Sequence, residues 1–286
     1  MTIAEKKRLA AIACKVRMGV IEATHGAKAG HPGGSLSAAD LFTYLYFKEM
    51  RVDPKNPKWE DRDRFVLSKG HTAPGLYAAL ANRGFFPVQD LPTLRHADSY
   101  LQGHPNMNLV PGVDMSTGSL GQGVSAAAGM AKAAKYLGKD GVRVYTLLGD
   151  GEIAEGECWE AFLFAAHYKL DNLCVIVDVN GLQIDGPTKQ VMNTEPLDAK
   201  LRDFGFNVVV VDGHDFDALE DAFDVFHQTS GMPTAIVMHT TKGKGVSYME
   251  NSVDWHGKAP NDAEYQTAMT ELNAQLAQIE QEAHHE

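Results

Sequence analysis

The chain has 286 residues, 44% of them hydrophobic and 22% charged, with a formal net charge of −11. That length suffices for one large α/β domain or two small ones around a substantial core. The acidic balance argues against a nucleic-acid partner, which is held by a surplus of Lys and Arg, and no apolar run approaches the roughly 20 residues of a membrane span.

The N-terminus, MTIAEKKRLAAIACKVR, mixes charges into its first turns and lacks the apolar stretch and cleavage site of a secretory signal. Cys14, Cys158 and Cys174 form no CxxC pair, so neither a zinc site nor a disulfide framework is expected, and the reading is cytoplasmic. Leu9, Ile12, Val16 and Val20 recur at helical spacing and predict an opening amphipathic helix. THGAKAGHPGGS (24–35), with four glycines and a proline, is expected to be a loop. Ser35 is a candidate N-cap for a second helix over 36–50. Residues 64–67 read as a short strand, followed by SKGHTAP and a helix to about Asn82. The stretch 84–118 reads as irregular, with prolines at 87, 92, 105 and 111.

From there helices and strands alternate. Helix 120–136 precedes strand 142–148, helix 157–168, strand 173–179, helix 197–204 and strand 207–211. Helix 216–227 and strand 234–239 follow. The continuous apolar strands LCVIVDV and NVVVVD imply burial on both faces, hence a doubly wound, mostly parallel sheet with helices on both faces. A polar helix at about 261–283 closes the chain. No repeat, low-complexity segment or linker interrupts it, so 1–286 reads as one domain.

In such a sheet ligands bind beyond the C-terminal ends of the strands. LLGDGE and DVNGLQIDG sit at two such ends and offer Asp150 and Asn180, hard oxygen donors of the kind Mg²⁺ or Ca²⁺ accepts. Gly151 lets the backbone approach a phosphate closely, and the helix N-terminus that follows favours negative charge. Either turn alone is commonly only a turn; together they read as a Mg²⁺-diphosphate site.

Four histidines lie in Gly/Pro loops: His31 in GHPGG, His71 in KGH, His104 in GHP and His256 in WHG. No HxxxH or His/Cys cluster accompanies them, so they read as hydrogen-bonding and proton-carrying groups for an oxygen-rich substrate. The other eight, among them His167 and the tail pair His284 and His285, read as structural or solvated. TGSLGQG (117–123) leads into a small-residue helix. It lacks Walker spacing, and either close packing or ligand contact by Gly118, Ser119 and Leu120 explains it. HTTKGKG offers Lys242 and Lys244 to an anion, or is a solvated lysine pair.

AGHPGGSLSAAD, SKGHTAPGLY, GHPN, PGVDMSTGSLGQG, GDGEIAEGECWEA, the Asn-Gly turn and TTKGKG…WHGKAP, in that order and covering most of the chain, resemble the N-terminal, diphosphate-binding domain of transketolases. The resemblance implies thiamine diphosphate (ThDP) as cofactor, with Asp150, Asn180 and the Leu182 carbonyl on Mg²⁺, for which Ca²⁺ can substitute. It implies contacts to the cofactor from His71, Gly118, Ser119, Leu120, Gly151, Lys242 and His256. It places His31, His104 and His256 along the sugar channel and Glu155 in a glutamate network linking paired active sites.

Transketolases of the usual kind are considerably longer, with a pyrimidine-binding and a C-terminal domain after this one. The glutamate that activates the cofactor and the basic residues that hold sugar phosphate lie in those domains. The resemblance therefore implies the N-terminal subunit of a split transketolase, working with a separate C-terminal subunit, as α2β2, on sugars or sugar phosphates. A 1-deoxyxylulose-5-phosphate synthase-like or other ThDP enzyme subunit is the alternative within enzymes, and a non-catalytic ThDP-binding subunit the alternative outside them.

Overall fold

The computed structural model describes residues 1–284, so His285 of the tail pair lies outside it. Helix α1 (Ile3–Ala27) starts where the Thr2 hydroxyl accepts the Glu5 N–H at 3.2 Å, the usual N-cap contact. It buries Leu9, Ala13, Val16 and Val20 on one stripe and ends on Lys28 in the left-handed region at φ 50°. The loop expected over 24–35 is thus shorter than its glycines suggest. Helix α2 (Pro32–Ser37) begins at Pro32, whose fixed φ suits a first helical turn. Ser35 lies inside α2 rather than capping a later helix, and its hydroxyl donates to the His31 carbonyl at 2.8 Å.

The helix expected over 36–50 is divided. Helix α3 (Ala39–Tyr44) follows a break at Ala38 and passes into one π-helical turn over Leu45–Glu49. The glycines of α2 serve close packing: a Cβ on Gly33 would stand 2.8 Å from the Trp255 carbonyl oxygen. Strand β1 (Arg64–Leu67) and helix α4 (Ala73–Arg83) follow, the latter ending on Gly84 at φ 97°. Next come α5 (Gln122–Tyr136), β2 (Val144–Gly149), α6 (Gly156–His167) and β3 (Leu173–Val179). A small antiparallel hairpin, β4 (Leu182–Gln183) and β5 (Gly186–Pro187), then leads into the short α7 (Thr188–Val191). Its two-residue strands are too short to leave a periodic signal. Helix α8 (Leu197–Asp203), strand β6 (Asn207–Asp212), helix α9 (Phe216–Gln228), strand β7 (Thr234–His239) and helix α10 (Asp262–His284) complete the chain.

The main sheet is parallel, in the order β1-β2-β3-β7-β6. Alternate residues of each strand serve two cores, as the pleat requires. Cys174 and Ile176 of β3 join the core made with α1, α3, α4 and α9. Leu173, Val175 and Val177 join the core under α5, α6 and α8. The sheet is therefore doubly wound, with helices on both faces. One strand departs from the expectation: β6, whose NVVVVD predicts burial on both faces, is an edge strand, and Val210 is 44% exposed. Hydrophobicity alone does not separate an edge from a central strand. Among the described residues no helix is long and apolar enough to cross a membrane.

Candidate functional site

Strands β2 and β3 run in register to Gly149 opposite Asp178, so the residues just beyond them, Asp150 and Asn180, come to the same end of the sheet. Asp150 is 4% exposed. Its carboxylate accepts the N–H groups of Gly151 and Gly181, each at 2.8 Å, and the Thr188 hydroxyl at 3.1 Å. Burial, with the nearby Asp178 carboxylate, nevertheless raises its pKa above the usual value. An added cation at this carboxylate would relieve that cost. Asn180 donates its Nδ2 to Asp178 Oδ2 at 3.1 Å, which fixes the amide so that Oδ1 points away and accepts the Leu182 N–H at 3.2 Å. The Leu182 carbonyl accepts Lys242 Nζ at 3.1 Å. Asp150, Asn180 and Leu182 are thus brought together.

Gly151 is pressed by the Gln183 side chain, whose Cδ would lie 3.1 Å from a Cβ added there. Gln183 Nε2 is buried without a hydrogen-bond partner, a free donor beside the glycine turn. Two buried lysines complete this corner. Lys242 is 2% exposed, and burial together with Lys69 lowers its pKa to about 8. Lys69 Nζ lies 2.5 Å from Asp178 Oδ2 in a pair whose side chains are 2% and 0% exposed. Asp178 also accepts the hydroxyls of Ser37, at 2.7 Å, and Thr240. Burial pushes this carboxyl up, but Lys69 and the donors outweigh it and hold the pKa below the ordinary value. A strongly acidic chain therefore concentrates two cations and an unpartnered amide donor at one strand end.

Three histidines adjoin this corner. The His71 and His256 rings stack at 5.2 Å between centroids, and His31 meets both edge-on, at 5.2 and 5.6 Å. His256 Nδ1 lies 3.0 Å from Lys242 Nζ. His31 Nδ1 is buried without a partner. Burial, then neighbouring positive charge, lowers the pKa of His31 and of His256 to about 4 and that of His71 well below the usual value. His104 is lowered by burial and Arg95 and packs against Gly118, whose added Cβ would lie 3.0 Å from its ring. At neutral pH these rings are uncharged, able both to accept and to donate a hydrogen bond.

Gly118, Ser119 and Leu120 form the turn before α5. Thr117 anchors it by donating to the Leu67 carbonyl at 2.6 Å, while Ser119 and Leu120 are exposed. Glu155 is exposed at the N-terminus of α6, its Cβ 2.9 Å from where a Cβ on Gly121 would stand. The glutamate held in a buried network is its neighbour Glu152. That carboxylate accepts the Ser68 hydroxyl at 2.5 Å and the N–H groups of Gly121 and Gly149, each at 2.9 Å, and so ties the residue after β1, the turn before α5 and the end of β2 together.

Sequence reasoning missed Glu152, Lys69, Asp178 and Gln183. An aspartate one residue before the end of an otherwise apolar strand, LCVIVDV, was the available signal for Asp178, since an unpaired buried charge is too costly to keep. His214, which the sequence groups with the structural or solvated histidines, hydrogen-bonds to the carboxylate of the buried Asp40–Arg17 ion pair.

A parallel sheet with its polar loops gathered at the strand ends puts this chain in the α/β class whose ligands bind beyond the carboxyl ends. Comparison with known proteins narrows the class. Residues 8–282 match the family described as the transketolase thiamine diphosphate binding domain, and the chain belongs to the transketolase family. It is 44% identical over 248 residues to the 6-deoxy-6-sulfo-D-fructose transketolase subunit SqwG of a Clostridium species, covering 87% of this chain and 90% of that one. It is 42% identical to an apulose-4-phosphate transketolase subunit from Phocaeicola vulgatus, covering 94% and 95%. Among solved structures, a transketolase from Pichia stipitis superposes with a TM-score of 0.87 at 30% identity. The match covers 98% of this chain but 45% of that protein. The transketolase of Campylobacter jejuni gives 0.85 at 31%, with 98% and 46% covered.

Proposed function

We propose that this chain is the N-terminal subunit of a two-chain, cytoplasmic transketolase that moves a two-carbon unit from a ketose to an aldose. One observation carries the reading. The chain gathers oxygen donors, buried lysines and neutral histidines at one strand-end corner, yet it spans less than half of the solved transketolases it matches and nearly all of the relatives named as subunits.

The donor set would suit a hard cation held together with a diphosphate. Asp150, the Asn180 amide oxygen and the Leu182 carbonyl are oxygen ligands suited to Mg²⁺, with Ca²⁺ as a substitute. Gly151, His71, Lys242, His256 and the Gly118-Ser119-Leu120 turn would hold ThDP, and the unpartnered Gln183 amide suits one of its anionic oxygens. Bound ThDP supplies nucleophilic carbon chemistry, which lets a ketose C2–C3 bond break and the fragment pass to an aldose carbonyl. The protein's part is orientation and proton handling. His31 and His256, neutral and beside one another, carry protons to and from the substrate oxygens, and His104 holds a donor hydroxyl. Glu155, exposed at the head of α6, is assigned to the network that links paired sites.

The pyrimidine end of the cofactor needs a carboxylic acid and an apolar wall, which we assign to the partner subunit in an α2β2 assembly. The relatives' names carry a sulfonated and a phosphorylated sugar, and a sugar or sugar phosphate is the substrate class proposed here. The test is reconstitution: the chain alone should show no ketol transfer at any ThDP concentration, and adding the partner subunit should restore it.

A further inference from the structure

The loop that carries Lys242 (TTKGKG, 240–245) is held at several points, and two of them lead back to one buried carboxylate. Asp40, 5% exposed, pairs with Arg17 and accepts His214 Nδ1 at 2.7 Å. Beyond it, Arg17 Nε donates to the Lys244 carbonyl at 3.1 Å, and the Thr241 N–H donates to His214 Nε2 at 2.9 Å. The tautomer follows from these partners. A ring nitrogen that accepts a backbone N–H carries a lone pair, so the His214 proton is on Nδ1 and is given to Asp40.

His214 is itself fixed from the β6 side. Its own N–H donates to Asp212 Oδ1 at 2.8 Å, and the preceding Gly213 N–H donates to the His239 carbonyl at 2.8 Å. The ring therefore bridges the end of β6 to the loop after β7. Lys242 lies one residue beyond Thr241, and its Nζ must reach the strand-end corner beside Leu182 and His256.

We infer that His214 is a positioning residue: by accepting the Thr241 N–H while donating to Asp40, it sets the backbone from which Lys242 reaches the Mg²⁺-diphosphate site. The inference rests on the function proposed above, because it assigns Lys242 to an anionic ligand. It adds a residue that touches neither ligand nor metal. Removing the ring leaves a partly buried N–H without its acceptor, which favours local opening of the loop, and a misplaced Lys242 then weakens the anion's binding.

Two measurements on the full chain test this, hydrogen exchange of the segment 239–246 in the ligand-free protein and the affinity for inorganic diphosphate with Mg²⁺ by calorimetry. His214→Ala should speed exchange of that segment and weaken the affinity about tenfold, the scale of one lost hydrogen bond with its partly buried partner left unmatched. His214→Gln puts an amide oxygen near the place of Nε2 and should restore both. His214→Asn is too short to reach Thr241 and should behave as Ala. If the Ala variant does not fold, the Gln and Asn variants decide the matter by the same contrast. Unaltered exchange in Ala and Asn, faster exchange with unchanged affinity, or equal behaviour of Gln and Asn would overturn the inference. Absence of diphosphate binding by the unsubstituted protein would instead remove the reading on which it rests.

Discussion

Lys69→Met isolates the contribution of the buried ion pair that supports Asn180. The substitution preserves most of the side chain's length but leaves Asp178, 0% exposed, with no cation 2.5 Å away. Removing one member of such a pair costs about 3–5 kcal/mol, because the remaining charge is uncompensated in the interior. Ser37, Thr240 and Asn180 still donate to Asp178, which puts the expectation at the lower end, about 3 kcal/mol. The sign with pH is defined. In the unsubstituted protein the Asp178 pKa is lowered, so its contribution is full above the unfolded value of 3.8 and lost as pH falls below it. In the variant burial dominates and raises that pKa, so folding takes up a proton and the deficit shrinks as pH falls from 7 toward 4. Urea denaturation at a series of pH values reads both effects. Lys69→Met with Asp178→Leu should recover much of the stability lost by Lys69→Met alone, while losing the anchor of Asn180 and with it Mg²⁺-dependent ThDP binding. A Lys69→Met deficit below about 1 kcal/mol, the range of exposed pairs, or one independent of pH, would refute the reasoning.

Asp150→Ala should abolish Mg²⁺-dependent ThDP binding at micromolar cofactor, and an unchanged calorimetric affinity in a folded variant would contradict the metal assignment. His31→Ala and His256→Ala should each lower kcat/KM of the reconstituted enzyme by about 10²-fold, as for a lost acid–base group. For His31→Ala, ThDP affinity should be nearly unchanged, and lost cofactor binding with normal turnover per bound cofactor would show it misplaced. The His31 and His256 rings should titrate at about 4 in the free protein by NMR, whereas values near 6.5 would contradict their burial. Because folding lowers these pKa values, their contribution to stability is intact above 6.5 and declines as pH falls toward 4.

Much of this was legible in the sequence because the relevant signals are local. Strands such as LCVIVDV and turns such as GDG and NG announce themselves, and a parallel sheet brings its strand ends to one edge. Asp150, Asn180 and the loop histidines can be picked out for that reason. What remained hidden depends on pairing across the fold. Lys69 and Asp178 are 109 positions apart, and no spacing shows that one neutralises the other. His214 becomes part of a cluster only because α1, α3 and the end of β6 meet. The glycines of GHPGG read as loop formers, whereas Gly33 and Gly34 lie in a helix and serve close packing, a use that looks the same in one dimension. The edge position of β6 was equally invisible, because strand order is set by crossovers rather than by composition.

The central claim, that this chain holds one half of an active site completed by another, is tested most directly by ketol-transfer assay of the purified chain with saturating ThDP and Mg²⁺, before and after addition of a purified subunit carrying the pyrimidine-binding domain. The account predicts no transfer by the chain alone and transfer in the mixture, rising to a plateau at equal amounts of the two chains. Substantial ketol transfer by this chain by itself would contradict it.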